Sequence, residues 1–204
     1  MKGLIAVPNA GLFPYQFVAA WTSLYARASQ ICEHLDVTFI QSCLIYDARE
    51  QAAQKCLDGG YDWLFFLDSD MEPHPETIER LLQADKPINS AICFKRSPPY
   101  QPCFYPTVKV EDGKVDVAIP EDWTEGLAEV QGVGMACCLI KREVFEGTPK
   151  PWFFPQPILA EDLGFCVRAR EAGFGVFVDT SLCCGHVGST VVTVETFREY
   201  GRRR

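Results

Sequence analysis

The sequence predicts an α/β fold built on a mainly parallel central sheet flanked by helices. Three observations carry this reading. Segments with strand and helix periodicity alternate along the chain. One of them, Trp63-Leu-Phe-Phe-Leu67, is a continuous apolar run of the kind needed by a strand buried on both faces. The 204 residues, 48% apolar and 23% charged, suffice for one core, and no linker, repeat or low-complexity stretch divides them.

The elements follow in order. Residues 3–7 read as a first strand, followed by the turn-rich Pro8-Asn-Ala-Gly11 and Pro14. Apolar residues then recur at Phe17, Trp21, Leu24, Tyr25, Ala28, Cys32 and Leu35, which is helical spacing and places His34 on that helix. Residues 37–40 form a second strand. A helix opens at Arg49, carries Ala52, Ala53, Cys56 and Leu57 on one face, and closes at Gly59-Gly60. The apolar strand 63–67 ends in Asp68-Ser-Asp70. Pro75 suits the first turn of a helix whose inward face is Ile78, Leu81 and Leu82.

Residues 88–94 form the fourth strand. The stretch 97–125 is rich in proline and charge, with a hairpin expected around Glu111-Asp-Gly113. A strand at 135–140 leads into a short helix and a Pro-rich loop over 149–157. Helix 162–172 turns Leu163, Cys166 and Val167 inward and stops at Gly173. Val176-Phe-Val178 is the last inner strand.

Charge narrows the partners. Nineteen Lys and Arg against 27 Asp and Glu leave a net charge of −8, which disfavours non-specific nucleic-acid binding. The C-terminal Tyr200-Gly-Arg-Arg-Arg204 is the one dense basic patch, read as a solvated tail or as a clamp on a phosphorylated ligand. No apolar run approaches the roughly 18 residues of a membrane span. The N-terminus reads as a buried strand rather than a signal peptide, so the expected location is the cytoplasm. Ten cysteines, none in C-x-x-C spacing, fall mostly within apolar segments and are expected as free, buried thiols. A zinc site between the pairs at 137 and 183 is a minor alternative.

Three clusters carry chemistry. Asp68 and Asp70 stand where a buried strand ends, the edge at which open α/β sheets bind ligands. Paired carboxylates there suit a hard divalent cation, Mg²⁺ or Mn²⁺, although D-x-D also serves plain turn chemistry. Glu161-Asp162 opens a helix, where acids cap the positive end and where a general base can be fixed beside a cleft. His186, between Gly185 and Gly188, can add a nitrogen ligand suited to Mn²⁺. His34 and His74 are weaker candidates.

In this order the features resemble GT-A-fold glycosyltransferases, family 2-like. The resemblance rests on Tyr61-Asp-Trp-Leu-Phe-Phe-Leu-Asp-Ser-Asp-Met-Glu-Pro73 as the D-x-D segment and on Glu161-Asp-Leu-Gly-Phe-Cys-Val-Arg-Ala-Arg-Glu-Ala-Gly-Phe174 as the E-D helix. Val178-Asp179, Gly185-His-Val-Gly188 and Arg49 complete it, and it spans roughly residues 3–190.

The resemblance implies a single GT-A (Rossmann-like) domain with a nucleotide-sugar half over about 1–96, an acceptor and catalytic half over about 97–190, and a basic tail over 191–204. It implies a UDP- or GDP-sugar donor held near Pro8, Asn9, Arg49, Asp68, Ser69, Asp70 and Gly134. Mn²⁺ or Mg²⁺ would be bound by Asp68, Asp70 and His186. Asp162, with Glu161 beside it, would take the proton from an acceptor hydroxyl, giving inversion. The acceptor is left open among a glycan, a protein, a lipid-linked sugar and a modified nucleobase.

Arg198 and Arg202–Arg204 are expected over the phosphates, and Trp152-Phe-Phe154 either as a sugar-stacking platform or as core. Asp179 is expected to be structural. Two rival functions remain. A nucleotidyltransferase would ordinarily carry a Gly- and Arg-rich loop after the first strand, and Pro8-Asn-Ala-Gly-Leu-Phe-Pro14 has one glycine and no basic residue. A non-catalytic nucleotide-sugar or carbohydrate-binding module would be expected to lack one of the acids or the histidine.

Overall fold

A computed structural model describes residues 1–9, 11–41, 44–111, 114–154, 157–188 and 191–202. The first half contains β1 (Lys2–Asn9), α1 (Tyr15–Ile31), β2 (His34–Gln41), α2 (Ile45–Asp58), β3 (Trp63–Leu67), β4 (Met71–Glu72), α3 (Thr77–Gln83) and β5 (Ile88–Ile92). Short strands follow: β6 (Phe104–Tyr105), β7 (Val108–Glu111), β8 (Lys114–Val117), β9 (Leu127–Val130) and β10 (Gly132–Val133). The chain then forms β11 (Cys137–Lys141), α4 (Arg142–Gly147), α5 (Glu161–Glu171), β12 (Val176–Cys183), β13 (Gly185–Val187), β14 (Val191–Val192) and α6 (Val194–Arg202).

Seven strands make the central sheet in the order β2-β1-β3-β11-β5-β12-β9. The pairings β1–β2, β1–β3 and β5–β12 are parallel, whereas β11 is antiparallel to both neighbours and β9 is antiparallel to β12. Five of the seven strands therefore share one direction, as the alternating pattern predicts. Within this mainly parallel sheet the antiparallel strand at the centre is β11. Its apolar run, Cys137-Cys-Leu-Ile, carries no mark of direction.

Helices cover both faces because the central strands alternate their side chains between two cores. Leu4, Ala6, Leu64 and Phe66 pack with Ala52, Ala53 and Cys56 of α2 and with Phe165 and Cys166 of α5. Ile5, Val7, Phe65 and Leu67 pack with Phe17, Leu24 and Ala28 of α1 and with Ile78 and Leu81 of α3. All five residues of β3 are buried, and each large apolar side chain so buried contributes about 1.5–3 kcal/mol. Gly3 faces Trp63 in the β1–β3 register, and a Cβ there would lie 2.0 Å from the indole. Only glycine leaves room for that ring.

Several boundaries differ from the sequence reading. α1 stops at Ile31 because Cys32 is extended, with φ −103 and ψ 139. His34 and Leu35 therefore begin β2, where Leu35 and Val37 face the same core by strand alternation. α2 starts at Ile45, one turn before Arg49, so Arg49 lies on the buried face of the helix rather than at its opening. The basic C-terminal segment is no free tail over 191–202. It forms β14 and α6, and Phe197 packs against Phe94 and Trp123 with ring centroids 5.7 Å from each. Arg203 and Arg204 lie outside the described residues, as does the tip of the β7–β8 hairpin at 112–113.

Gly173, at φ +94, ends α5 as expected: Phe174 N–H donates to Ala169 O at 3.0 Å. Among the described residues all cysteines are free, and no helix is long and apolar enough to cross a membrane.

Candidate active site

The antiparallel insertion of β11 builds the site. β11 begins where β3 ends, with Cys137 opposite Leu67. The approach to β11 and the departure from β3 thus share one sheet edge, and Asp68 N–H donates to Ala136 O at 2.9 Å. β1 runs parallel to β3 and brings Pro8, buried, and Asn9, half-buried, to that same edge. Asn9 Oδ1 accepts from Gly11 N at 3.2 Å, an Asx turn that starts the following loop.

Arg49 is the connector. It is 4% exposed, and its Nη2 lies 3.1 Å from both carboxylate oxygens of Asp68. Nη1 donates to Met135 O at 3.1 Å and Nε reaches Glu161 Oε1 at 3.5 Å. Burial works against the guanidinium charge, but Asp68, Glu161 and Asp162 outweigh it and hold Arg49 above its ordinary value. For Asp68 burial wins, and its pKa is raised despite Arg49.

Asp70 follows a tight turn through the half-buried Ser69, in which Met71 N–H donates to Asp68 O at 3.1 Å. The three-stranded sheet β14-β13-β4 then sets His186 opposite Met71. His186 Nε2 lies 3.2 Å from Asp70 Oδ2, and Nδ1 lies 2.7 Å from Phe94 O. A carbonyl can only accept, so Nδ1 carries a proton and Nε2 faces the carboxylate. Burial opposes the imidazolium, but the bonds to Asp70 and Phe94 O prevail and raise the His186 pKa. Burial likewise tends to raise the Asp70 pKa, and His186 together with Arg96 brings it below the usual value. Arg96 Nη1 lies 2.9 Å from the same Asp70 Oδ2.

Glu161 and Asp162 occupy the first turn of α5, but the N-cap is Ala160 and makes no side-chain cap. Asp162 Oδ1 accepts from Leu163 N at 2.7 Å. Burial, reinforced by the charge of Glu161, raises its pKa to about 6. Gly134 borders this carboxylate: a Cβ there would sit 3.8 Å from Asp162 Oδ2 and 3.3 Å from Cys103 Cβ.

Other candidates lie elsewhere. Trp152 and Phe153 are 1% and 2% exposed. Trp152 Nε1 donates to Phe145 O and Thr148 O, and Phe153 stacks on Phe165. This pair is core and cannot serve as an exposed sugar platform. Asp179 pairs with Arg80 at 2.8 Å, a structural tie between β12 and α3. Arg198 lies 3.8 Å from Glu125. His34 pairs with Asp36 on the edge strand β2, and His74 Nδ1 accepts from Glu76 N, so neither joins the site.

Sequence reasoning missed Arg96, the carbonyls of Phe94 and Met135, and Cys103 beside Gly134. The first had a signal, since Lys95-Arg96 follows a buried strand at the ligand-binding edge. The carbonyls had none, because any residue supplies one.

Among the described residues no three His, Cys, Asp or Glu side chains are gathered to hold a metal ion. The Asp70–His186 pair nevertheless fits two adjacent ligands. Donors at about 2.1 Å on an octahedral cation stand roughly 3 Å apart, and such cations commonly take one or two protein ligands with water and phosphate oxygens completing the shell. The proton on Nδ1, held by Phe94 O, is also the usual outer support of a ligating histidine.

No known family's sequence profile matches the chain, and no curated protein matches it. Solved structures do. A197 from STIV superposes with a TM-score of 0.65 at 19% identity, over 92% of this chain and 86% of that one. The apo form of a UDP-glucose pyrophosphorylase gives 0.53 at 11% identity, over 100% of this chain and 98% of that one. A UDP-glucose pyrophosphorylase complexed with UDP-glucose gives 0.52 at 11% identity, over the whole of both chains. At these identities the likeness establishes the fold: the chain is a Rossmann-like α/β domain.

Proposed function

We propose that the protein is a nucleotide-sugar-dependent glycosyltransferase that moves a sugar from a UDP- or GDP-sugar to an acceptor hydroxyl with inversion. The observation that carries this reading is the buried Arg49 bridge. It joins Asp68 to Glu161, so that the D-x-D turn and the E-D helix, 93 positions apart in sequence, meet at one guanidinium. A divalent cation, Mn²⁺ or Mg²⁺, supplies charge stabilisation for the departing diphosphate when bound.

In this reading Asp70 and His186 hold the cation. Asp68, committed to Arg49, acts through position and charge. Arg49 is a positioning residue, since each of its three nitrogens is already engaged, by Asp68, Met135 O and Glu161. Asp162 accepts the proton of the attacking hydroxyl, and a carboxylate with a pKa of about 6 is ionised yet basic enough for that work near neutral pH. Gly134 lets the backbone run close to Cys103 and to this carboxylate. Pro8, Asn9 and Ser69 line the nucleotide side at the strand ends.

A nucleotidyltransferase is the second reading, favoured by the fold shared with UDP-glucose pyrophosphorylase over the full length. The single glycine and missing basic residue in 8–14 count against it. One experiment separates them. With UDP-glucose or GDP-mannose, Mn²⁺ and a panel of acceptors, a glycosyltransferase releases UDP or GDP, and release falls in Asp162→Asn. With UTP or GTP and a sugar 1-phosphate, a nucleotidyltransferase releases pyrophosphate. Pyrophosphate release alone would overturn the first reading.

A further inference from the structure

Asp70 Oδ2 has two nitrogen neighbours of different character. His186 is set by the β4–β13 pairing and by Phe94 O. Arg96 comes from 95–99, every residue of which is exposed, and its own side chain is 63% exposed. The stem of this segment is fixed: Phe94 bridges Pro102, Lys95 N–H donates to Gln101 O at 2.9 Å, and Tyr100 N–H donates to Ser97 O at 2.9 Å. The backbone therefore holds Arg96 at the rim while its long side chain stays free to re-aim. Arg49 is the opposite case, buried and held by three partners.

We propose that Arg96 is an exchangeable counter-ion: it neutralises Asp70 while the cation is absent and moves to the donor's diphosphate when the cation takes its place. The proposal rests on the cation site described under the proposed function. Asp68 is already paired with Arg49, which leaves the charge of Asp70 to be balanced between visits of substrate, and Arg96 Nη1 is near enough to do so. An exposed ion pair of this kind is weak and salt-screened, so a divalent ion displaces it easily. Once released, a guanidinium at the rim faces the most anionic part of the substrate, to which its planar fork is suited. Arginine is thus favoured over lysine.

The test measures binding of Mn²⁺ alone, from the electron paramagnetic resonance signal of free Mn²⁺, and then binding of UDP and of GDP at saturating Mn²⁺. Arg96→Ala is expected to bind Mn²⁺ alone about threefold more tightly, because a competitor is gone. It is expected to bind the preferred diphosphate about tenfold more weakly, because a charged hydrogen-bond donor is lost. Arg96→Lys should fall between wild type and Arg96→Ala for the nucleotide. Unchanged binding in Arg96→Ala, or weaker Mn²⁺ binding, overturns the exchange. Asp70→Asn, which keeps the side-chain shape, separates the layers. If it abolishes Mn²⁺ binding while Arg96→Ala changes nothing, the exchange alone fails. If Mn²⁺ binding survives Asp70→Asn, the cation site itself is wrong.

Discussion

Arg49 Nη2 stands 3.1 Å from both oxygens of Asp68 while the same side chain reaches Glu161 at 3.5 Å, inside a site where Arg49 is 4% exposed. Removing one member of a buried ion pair leaves the others uncompensated, at a cost of about 3–5 kcal/mol. Arg49→Ala should therefore lose stability of that order in urea unfolding. Arg49→Lys should recover only part of it, because one ammonium cannot reproduce the fork. A loss of substrate binding with full stability would make Arg49 a ligand-binding residue rather than a strut.

Asp162 predicts opposite trends for activity and stability. In the proposed function transfer needs its ionised form, so the rate should rise with pH along an acid limb centred near 6. Its folded pKa lies above that of an unfolded aspartate. The favourable contribution is therefore complete below about pH 4 and is lost as pH climbs through 6, amounting to about 3 kcal/mol. Asp162→Asn should be more stable than wild type at pH 7.5, equal to it below pH 4, and slower in transfer by about 10²–10⁴-fold. Denaturant titrations at the two pH values, paired with rates, check this.

Trp152 tests the distinction between core and platform. Buried among Phe145 and its neighbours, it should cost about 3–5 kcal/mol when cut to alanine. A sugar-stacking residue would instead leave the melting temperature near wild type and raise KM.

Gly134→Ala places a methyl 3.3 Å from Cys103 Cβ and next to Asp162. Stability should fall by about 1–3 kcal/mol at most, as in mild overpacking. Activity should fall further than that loss explains, which a comparison of rates well below the melting temperature would reveal.

Much of this arrangement was legible in the residues. The apolar run 63–67 identified a strand buried on both faces, and its abrupt end in Asp68-Ser-Asp70 identified the edge of the sheet. Glycine at 173 marked where α5 stops. What escaped depended on partners far away in the chain. The direction of β11 is set by its connections, not by Cys137-Cys-Leu-Ile. The helical spacing of α1 ran on through Leu35 because one turn of helix and the first alternation of β2 place apolar residues alike. In α6 the arginines drew attention, although Val194, Phe197 and Tyr200 recur every three residues on one face. The Asp70–His186 contact joins residues 116 positions apart, and only the pairing of β4 with β13 makes it visible.

In the proposed function Asp70 and His186 seat a cation that holds the donor's diphosphate. Thermal unfolding with UDP, GDP, CDP and dTDP, each with Mn²⁺ and again with EDTA, tests it most directly. A nucleotide at 100 times its Kd should stabilise the protein by about 2.7 kcal/mol. Such a shift is expected for UDP or GDP with Mn²⁺, and it should disappear in EDTA and be absent in His186→Ala and Asp70→Asn. An equal shift in EDTA, or none with any nucleotide, would contradict it.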